Sequence, residues 1–282
     1  YKRQDYSDIP RNDYKAQQMN ISGNTILITG GSGGLGLALA KAFSAVQNTV
    51  ILCDKNKESM DLALQTLDSA HGYVCDISDS QQRNDLFEKV TSRFPEINML
   101  INNAAICSEM DFTKPLPAGE NEAEITTNFT APVDLTRLFL PLFLTKQSAA
   151  IINICSECGV RPFYPIPAYT GTKAGLVFFT EALRNRLKHQ LKDMKVLISE
   201  VYPPTIDTPM NAKWHDVKKV APDIVARTIL AGIQGDRSVI WSKYGEVRVY
   251  HKISRWLIVL LRAPRKLGRS AKRLLRGEPV AW

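Results

Sequence analysis

The sequence predicts an α/β fold: a single doubly wound domain in which a seven-stranded parallel sheet carries helices on both faces. Three observations predict it. Short apolar runs alternate with helix-length segments along most of the chain. The runs are apolar without strict polar alternation, as expected of strands buried on both faces. The first run also passes through a cluster of glycines directly into a helical pattern.

Taken in order, the first run covers 25–29, followed by glycines, a helix-like segment over 35–43 and a second run over 50–53. This is one strand, helix, strand unit. Further strand candidates lie at 72–75, 99–101, 149–154, 196–201 and 238–241, most of them separated by helix-length segments. In such sheets ligands bind outside the carboxyl ends of the strands, near the point where strand order reverses. The residues just after each run are therefore the ones to inspect.

Composition bounds the rest. A chain of 282 residues with 44% hydrophobic content can bury one sizeable core. The formal charge of +8 is uneven: residues 1–18 net +1 and residues 248–282 net +9, which leaves −2 for everything between Met19 and Val247. The basic balance thus describes a tail and not the body, and a nucleic-acid role for the body loses its support. The chain divides into an N-terminal extension, 1–18, to which no function is assigned, a body, 19–247, and a basic tail, 248–282. Five cysteines, an odd number, and the lack of a secretory leader lead us to expect a reducing cytoplasm. No run reaches the roughly 18 apolar residues that a spanning helix needs.

After the first run comes Thr29-Gly30-Gly31-Ser32-Gly33-Gly34-Leu35-Gly36, opening into the helix. Glycines let a backbone turn tightly and approach a pyrophosphate, whose charge a helix N-terminus favours. Asp54 lies 18 residues beyond Gly36, at the end of the second run. A carboxylate there can accept hydrogen bonds from adenosine ribose hydroxyls and repels a 2′-phosphate, so NAD is favoured over NADP. Lys55 follows immediately and pulls the other way.

The Thr-Gly-x-x-x-Gly-x-Gly pattern from Thr29 to Gly36 resembles that of the short-chain dehydrogenases/reductases, whose fold is of the Rossmann type. Further matches follow in chain order. Asp76 with Ile77 matches the family's adenine-contacting Asp, and Asn102-Asn103-Ala104-Ala105 matches its Asn-Asn-Ala-Gly, with Ala105 departing from glycine. The resemblance implies cofactor contacts from Gly30, Ser32, Gly33, Gly34, Leu35, Gly36, Asp54, Lys55, Asp76, Ile77, Asn103, Ala104 and Ala105.

Beyond the fifth run, Ser156 is followed thirteen residues later by Tyr169 and then Lys173, which share one face if the segment is helical. A free tyrosine is a poor base at neutral pH, and a neighbouring ammonium is expected to lower its pKa. The resemblance makes Tyr169 the general acid/base. Lys173 then also holds the nicotinamide ribose, Ser156 polarises the substrate carbonyl, and Asn128, in Thr127-Asn128-Phe129, anchors a relay water. Pro203-Pro204-Thr205-Ile206-Asp207-Thr208 resembles the family's Pro-Gly-x-Val-x-Thr segment and implies nicotinamide contacts from Pro203, Ile206 and Thr208, although Pro204 stands where the family has glycine.

Cys155 and Cys158 have the spacing of a redox or metal pair, but no second Cys/His pair accompanies them, and we read them as packing with no metal. His71, His189, His215 and His251 lack a nucleophile context. Phe163, Tyr164, Pro165 and residues 210–214 are expected to line an apolar, comparatively open substrate pocket.

From 248 to 276 there are ten Lys/Arg and no acid, interleaved with Trp256 and several leucines. That composition suits an anionic membrane surface, and equally a segment packed on the body or a partner subunit. The sequence therefore points to an NAD(P)-dependent oxidoreductase acting on a small alcohol or carbonyl. We expect a cytoplasmic homodimer or homotetramer, peripheral at the inner face of a membrane if the tail binds lipid. The competing reading is a catalytically silent dinucleotide sensor or scaffold recruited to membrane by the tail. A transient-cofactor epimerase or dehydratase ranks last.

Overall fold

The computed structural model describes residues 19–115, 119–191 and 196–241. The N-terminal extension, the 247/248 boundary and the membrane or packing reading of 248–276 lie outside the described residues.

Seven strands form one sheet: β1 (Thr25–Thr29), β2 (Thr49–Asp54), β3 (Ala70–Val74), β4 (Met99–Asn102), β5 (Ala149–Ile154), β6 (Val196–Tyr202) and β7 (Val239–Trp241). They are all parallel, in the order β3-β2-β1-β4-β5-β6-β7. The chain starts at the centre, winds out to β3, then crosses back to β4, so strand order reverses between β1 and β4. A crevice opens at their carboxyl ends, where this class of sheet binds its ligands.

Helices α1 (Gly34–Ser44), α2 (Lys57–Leu64) and α7 (Pro222–Gln234) cover one face. Helices α3 (Ser80–Arg93), α5 (Ala131–Phe143) and α6 (Pro167–Gln190) cover the other. Strand pleating divides the apolar residues between them: Ile26, Ile28, Val50 and Leu52 face the first layer, Leu27 and Ile51 the second. Helix α4 (Glu120–Ile125) continues through a π-helical turn, Thr126–Thr130, into α5.

The helices start by different means. Asn56 and Asp79 cap α2 and α3 by accepting N–H bonds from Ser59 and from Gln81 and Gln82. The N-terminus of α1 has no side-chain cap and no acidic residue in its first turn. Its leading N–H groups remain available to an external anion.

Strand boundaries fall within two residues of those expected, and one expectation needs amending. Burial on both faces holds for β1 and β5, whose residues are all buried, but β3 is half-buried and Val74 is 55% exposed. The cause is its place at the sheet edge, where one side has no neighbouring strand.

Under the crevice runs a ladder of buried side-chain bonds. Asn102 Nδ2 donates to Asn153 Oδ1 at 2.8 Å, Asn153 Nδ2 to Thr180 Oγ1 at 2.8 Å, and Thr180 Oγ1 to the Leu176 carbonyl at 2.6 Å. It joins β4, β5 and α6. A second tie, the buried ion pair Arg184 to Glu200 at 2.7 Å, joins α6 to β6.

Phe139 is fully buried and meets Phe87 edge-on with ring centroids 5.0 Å apart. Phe139→Ala is expected to destabilise the fold by about 3–5 kcal/mol, the cost of a large buried cavity. A lowered urea midpoint at unchanged slope would register it.

Candidate active site

The glycine-rich turn after β1 builds the first half of the site. Gly30 and Gly34 have φ of +62° and +51°, the left-handed region that a side chain disfavours. A Cβ on Gly36 would collide with the Gly30 carbonyl oxygen, so only glycine lets α1 close onto the turn. At Gly33, the uncapped N-cap of α1, an added Cβ would meet nothing within 4 Å. Free N–H donors, helix polarity and open space coincide here, which fits a pyrophosphate.

Around this cradle the predicted residues converge. Ser32 donates to Asp54 Oδ2 through its hydroxyl at 2.6 Å and its N–H at 3.3 Å, and Asp54 Oδ1 accepts the Asn56 N–H at 3.2 Å. The carboxylate is thus pinned between turn and strand end, with Lys55 exposed beside it. Asp76 Oδ1 accepts from the Ser78 N–H at 2.9 Å. The Ile77 carbonyl accepts from Arg83 at 2.6 Å, and Arg83 is itself paired to Asp134 at 2.6 Å. Arg83 and Asp134 escaped notice in the sequence because nothing local links positions so far apart.

Asn103 serves the cradle indirectly. Its Nδ2 donates to the Thr29 and Gly30 carbonyls at 2.9 and 3.1 Å, while its own N–H and that of Ala104 donate to Thr29 Oγ1 at 3.0 and 3.1 Å. Its side chain therefore shapes the glycine turn. Ala104 and Ala105 follow, half-buried, at the mouth of the crevice. Leu35 turns its side chain into the core, so only its backbone is left for a ligand.

The second half gathers at the ends of β5 and α6. Ser156 caps a short 3-10 turn, its hydroxyl accepting from the Cys158 N–H at 3.1 Å, and it stands near enough to the Tyr169 phenol to draw its pKa down. Lys173 lies one helical turn beyond Tyr169, only 2% exposed, with Nζ 5.6 Å from the phenol ring centre and donating to the Ile154 carbonyl at 2.8 Å. Asn128 sits buried in the π-helical turn. Its side chain bonds both the N–H and the carbonyl of Ile106 at 2.8 Å and donates to Thr172 on α6 at 3.2 Å.

Pro132 stands four residues after Asn128 and lacks an N–H, so the Asn128 carbonyl cannot receive the usual i+4 helical bond. That spacing was a readable sign of the widened turn, which lies at the position the resemblance assigns to a water anchor.

The electrostatics differ from the expectation that Lys173 lowers the Tyr169 pKa. Burial dominates and holds the phenol well above its usual range, with Ser156 pulling the other way. Burial also lowers the Lys173 ammonium to about 8. Both groups are desolvated, and each loses its charged form more readily than it would in water.

After β6, Ile206 pairs with Val220 in an isolated bridge, held by Asp207 N–H to Val220 O and Val220 N–H to Thr205 O, each 2.9 Å. This pairing, rather than a glycine turn, shapes the segment around Pro203 and Pro204. It brings the Thr208 methyl to 3.2 Å from where a Gly34 Cβ would stand, so segment and glycine turn are adjacent. Phe163 meets Trp214 edge-on at 5.7 Å, and Lys213 pairs with Glu109 at 3.1 Å. The short segment is therefore tethered to the loops after β4 and β5.

All five cysteines are free thiols. Among the described residues no group of three His, Cys, Asp or Glu stands together as a metal site, and no helix is long and apolar enough to cross a membrane.

Comparison with known proteins converges on one family. Residues 24–219 match the family model described as short chain dehydrogenase. The chain is 40% identical over 203 residues to the uncharacterized oxidoreductase DltE of Bacillus subtilis (strain 168), covering 70% of this chain and 77% of that protein. Its fold is similar to that of a short-chain dehydrogenase from Sphingobium yanoikuyae in complex with NADPH, with TM-score 0.75, 23% identity, and coverage of 86% of this chain and 96% of that one. A short chain dehydrogenase/reductase from Burkholderia phymatum in complex with NAD gives TM-score 0.73 and 17% identity over 94% of this chain and 100% of that one.

Gly36→Ala is expected to push α1 off the turn, lowering thermal stability and abolishing dinucleotide binding. Parallel melting curves and NADH titrations would register both losses.

Proposed function

Because this chain belongs to the short chain dehydrogenase family, and so is an oxidoreductase using a nicotinamide cofactor on CH–OH/C=O groups, we propose that it prefers NAD(H) and acts on an apolar alcohol or ketone, with Tyr169 as general acid/base. The observation that carries the reading is the convergence of Ser156, Tyr169, Lys173 and Asn128. They come from three elements: Asn128 is tied to α6 through its bond to Thr172, and Ser156 stands beside the Tyr169 phenol.

When bound, the nicotinamide supplies or takes up the hydride. The remaining work falls to this chain. Ser156 donates to the substrate oxygen and polarises the carbonyl. Tyr169, kept protonated by burial, delivers its proton to that oxygen during reduction and recovers it from the alcohol in the reverse direction. Lys173 would hold the ribose hydroxyls through its buried ammonium, and it favours the phenolate that forms as the proton leaves. Pro132 denies the Asn128 carbonyl its usual i+4 partner, which supports a role for that carbonyl in holding a water at the inner end of the site. Pro203, Ile206 and Thr208 would hold the nicotinamide, and Asp76 and Ile77 the adenine.

Two observations support the finer points. Asp54 is pinned by Ser32 beside the cradle, where its charge opposes a 2′-phosphate. Phe163 and Met210, both partly exposed, and the Phe163–Trp214 ring contact favour an apolar substrate. Exposed apolar side chains on α4 and α6, Ile125 and Phe178, support assembly into a homo-oligomer through those helices.

The test is a fluorescence titration with NADH and NADPH, followed by turnover on apolar ketones. Tyr169→Phe should bind NADH as the native chain does and lose about 10²- to 10⁴-fold in turnover. Retained turnover would exclude Tyr169 as the acid/base. Asp54→Asn should shift affinity toward NADPH by at least about tenfold. An unchanged ratio would remove Asp54 from cofactor choice.

A further inference from the structure

Beside these four residues lies an ionisable group that the reaction above does not use. Glu124 sits on α4, one turn before Asn128, is fully excluded from solvent, and neither of its carboxylate oxygens has a hydrogen-bond partner among the described residues. The Ser108 N–H, from the loop after β4, is directed at it but falls short of full hydrogen-bond geometry. An isolated carboxylate so buried is strongly disfavoured unless an opposite charge faces it.

Lys173 has the complementary problem. Its ammonium is buried, donates to one carbonyl, and makes no direct ion pair among the described residues. Helix α4 packs against α6, which carries it. The ionisable groups facing Lys173 are Tyr169 from its own helix, Cys155 and Cys158 from the segment after β5, Cys107 from the loop after β4, and Glu124 from α4. Burial keeps the three thiols protonated at neutral pH, so Glu124 is the carboxylate in this set. Glu124 is faced by Lys173 and by Lys213, and Lys213 already has a counter-ion in Glu109.

We propose that Glu124 is a positioning residue, an internal counter-charge that keeps Lys173 an ammonium without touching substrate or cofactor. The proposal rests on the reading of Lys173 given above. Its physical advantage lies in the separation. A direct salt bridge would occupy the N–H donors of Lys173, whereas a carboxylate acting across the interior stabilises the charge and leaves those donors for a ribose.

The test reads Lys173 itself, in the full chain and without substrate, by NMR titration of its labelled side chain, assigned by its loss in Lys173→Met. The native midpoint is expected near pH 8, and in Glu124→Gln about one pH unit lower. The falling high-pH limb of carbonyl reduction should move down by the same amount, with kcat on the low-pH plateau unchanged and NADH affinity retained below the new midpoint. An unmoved Lys173 midpoint in folded Glu124→Gln overturns the proposal. Should that variant not fold, the carboxyl carbon of Glu124 is followed instead. Its midpoint must rise in Lys173→Met, and constancy there overturns the proposal equally. Retained turnover in Tyr169→Phe would count against the assigned reaction while leaving the titration result intact, so the two failures are distinguishable.

Discussion

A chain of three buried hydrogen bonds, from Asn102 through Asn153 and Thr180 to the Leu176 carbonyl, fixes where α6 lies on the sheet. Amides cannot sit in an apolar interior unless paired, so the bonds permit very little sliding of α6 past β4 and β5. The arrangement around Tyr169 follows from that register. Tyr169 and Lys173 precede Thr180 of the ladder by about three and two turns on the same helix, and Ser156 leaves the end of the strand the ladder crosses. Asn128 is drawn in through Thr172, and the loop after β4 through Asn128. The Arg184–Glu200 pair holds the far end of the helix against β6.

The cofactor end obeys a different constraint, imposed by backbone. Close approach of Gly36 to Gly30 lets α1 start directly at the turn, and Asn103 with Thr29 stitches that turn to the β4 end across the point of strand reversal. The two ends meet where Thr208 reaches Gly34. A dinucleotide spanning the crevice would thus rest on a rigid floor and be covered by a segment held by side-chain tethers.

Much of this was legible in one dimension. Strand runs, the glycine turn, Asp54 and the Tyr169/Lys173 spacing depend on local pattern, and the structure puts them together as the pattern implied. What escaped depends on burial. The spacing of Tyr169 and Lys173 showed that they share a helix face, but not that both are desolvated, and so the direction of the Tyr169 shift was misjudged. Glu124 reads in sequence as one acid in an acidic run, Glu120 to Glu124, and only packing of α4 on α6 distinguishes it. Asn103 matched a cofactor motif, yet its amide turns to the backbone. The edge position of β3 follows from strand order, which no single strand encodes. Pro132 was the exception: its spacing from Asn128 was a readable sign of the π-helical turn.

The thiols around the phenol have a consequence for chemical durability. Cys107 is pushed up to about 11 and Cys155 to about 12, and Cys158 is raised as well, each chiefly by burial. At neutral pH only about one Cys107 in ten thousand is a thiolate, and the thiolate is the reactive form. A site for carbonyl compounds thus has sulfur near it that is held almost wholly in its less reactive thiol form.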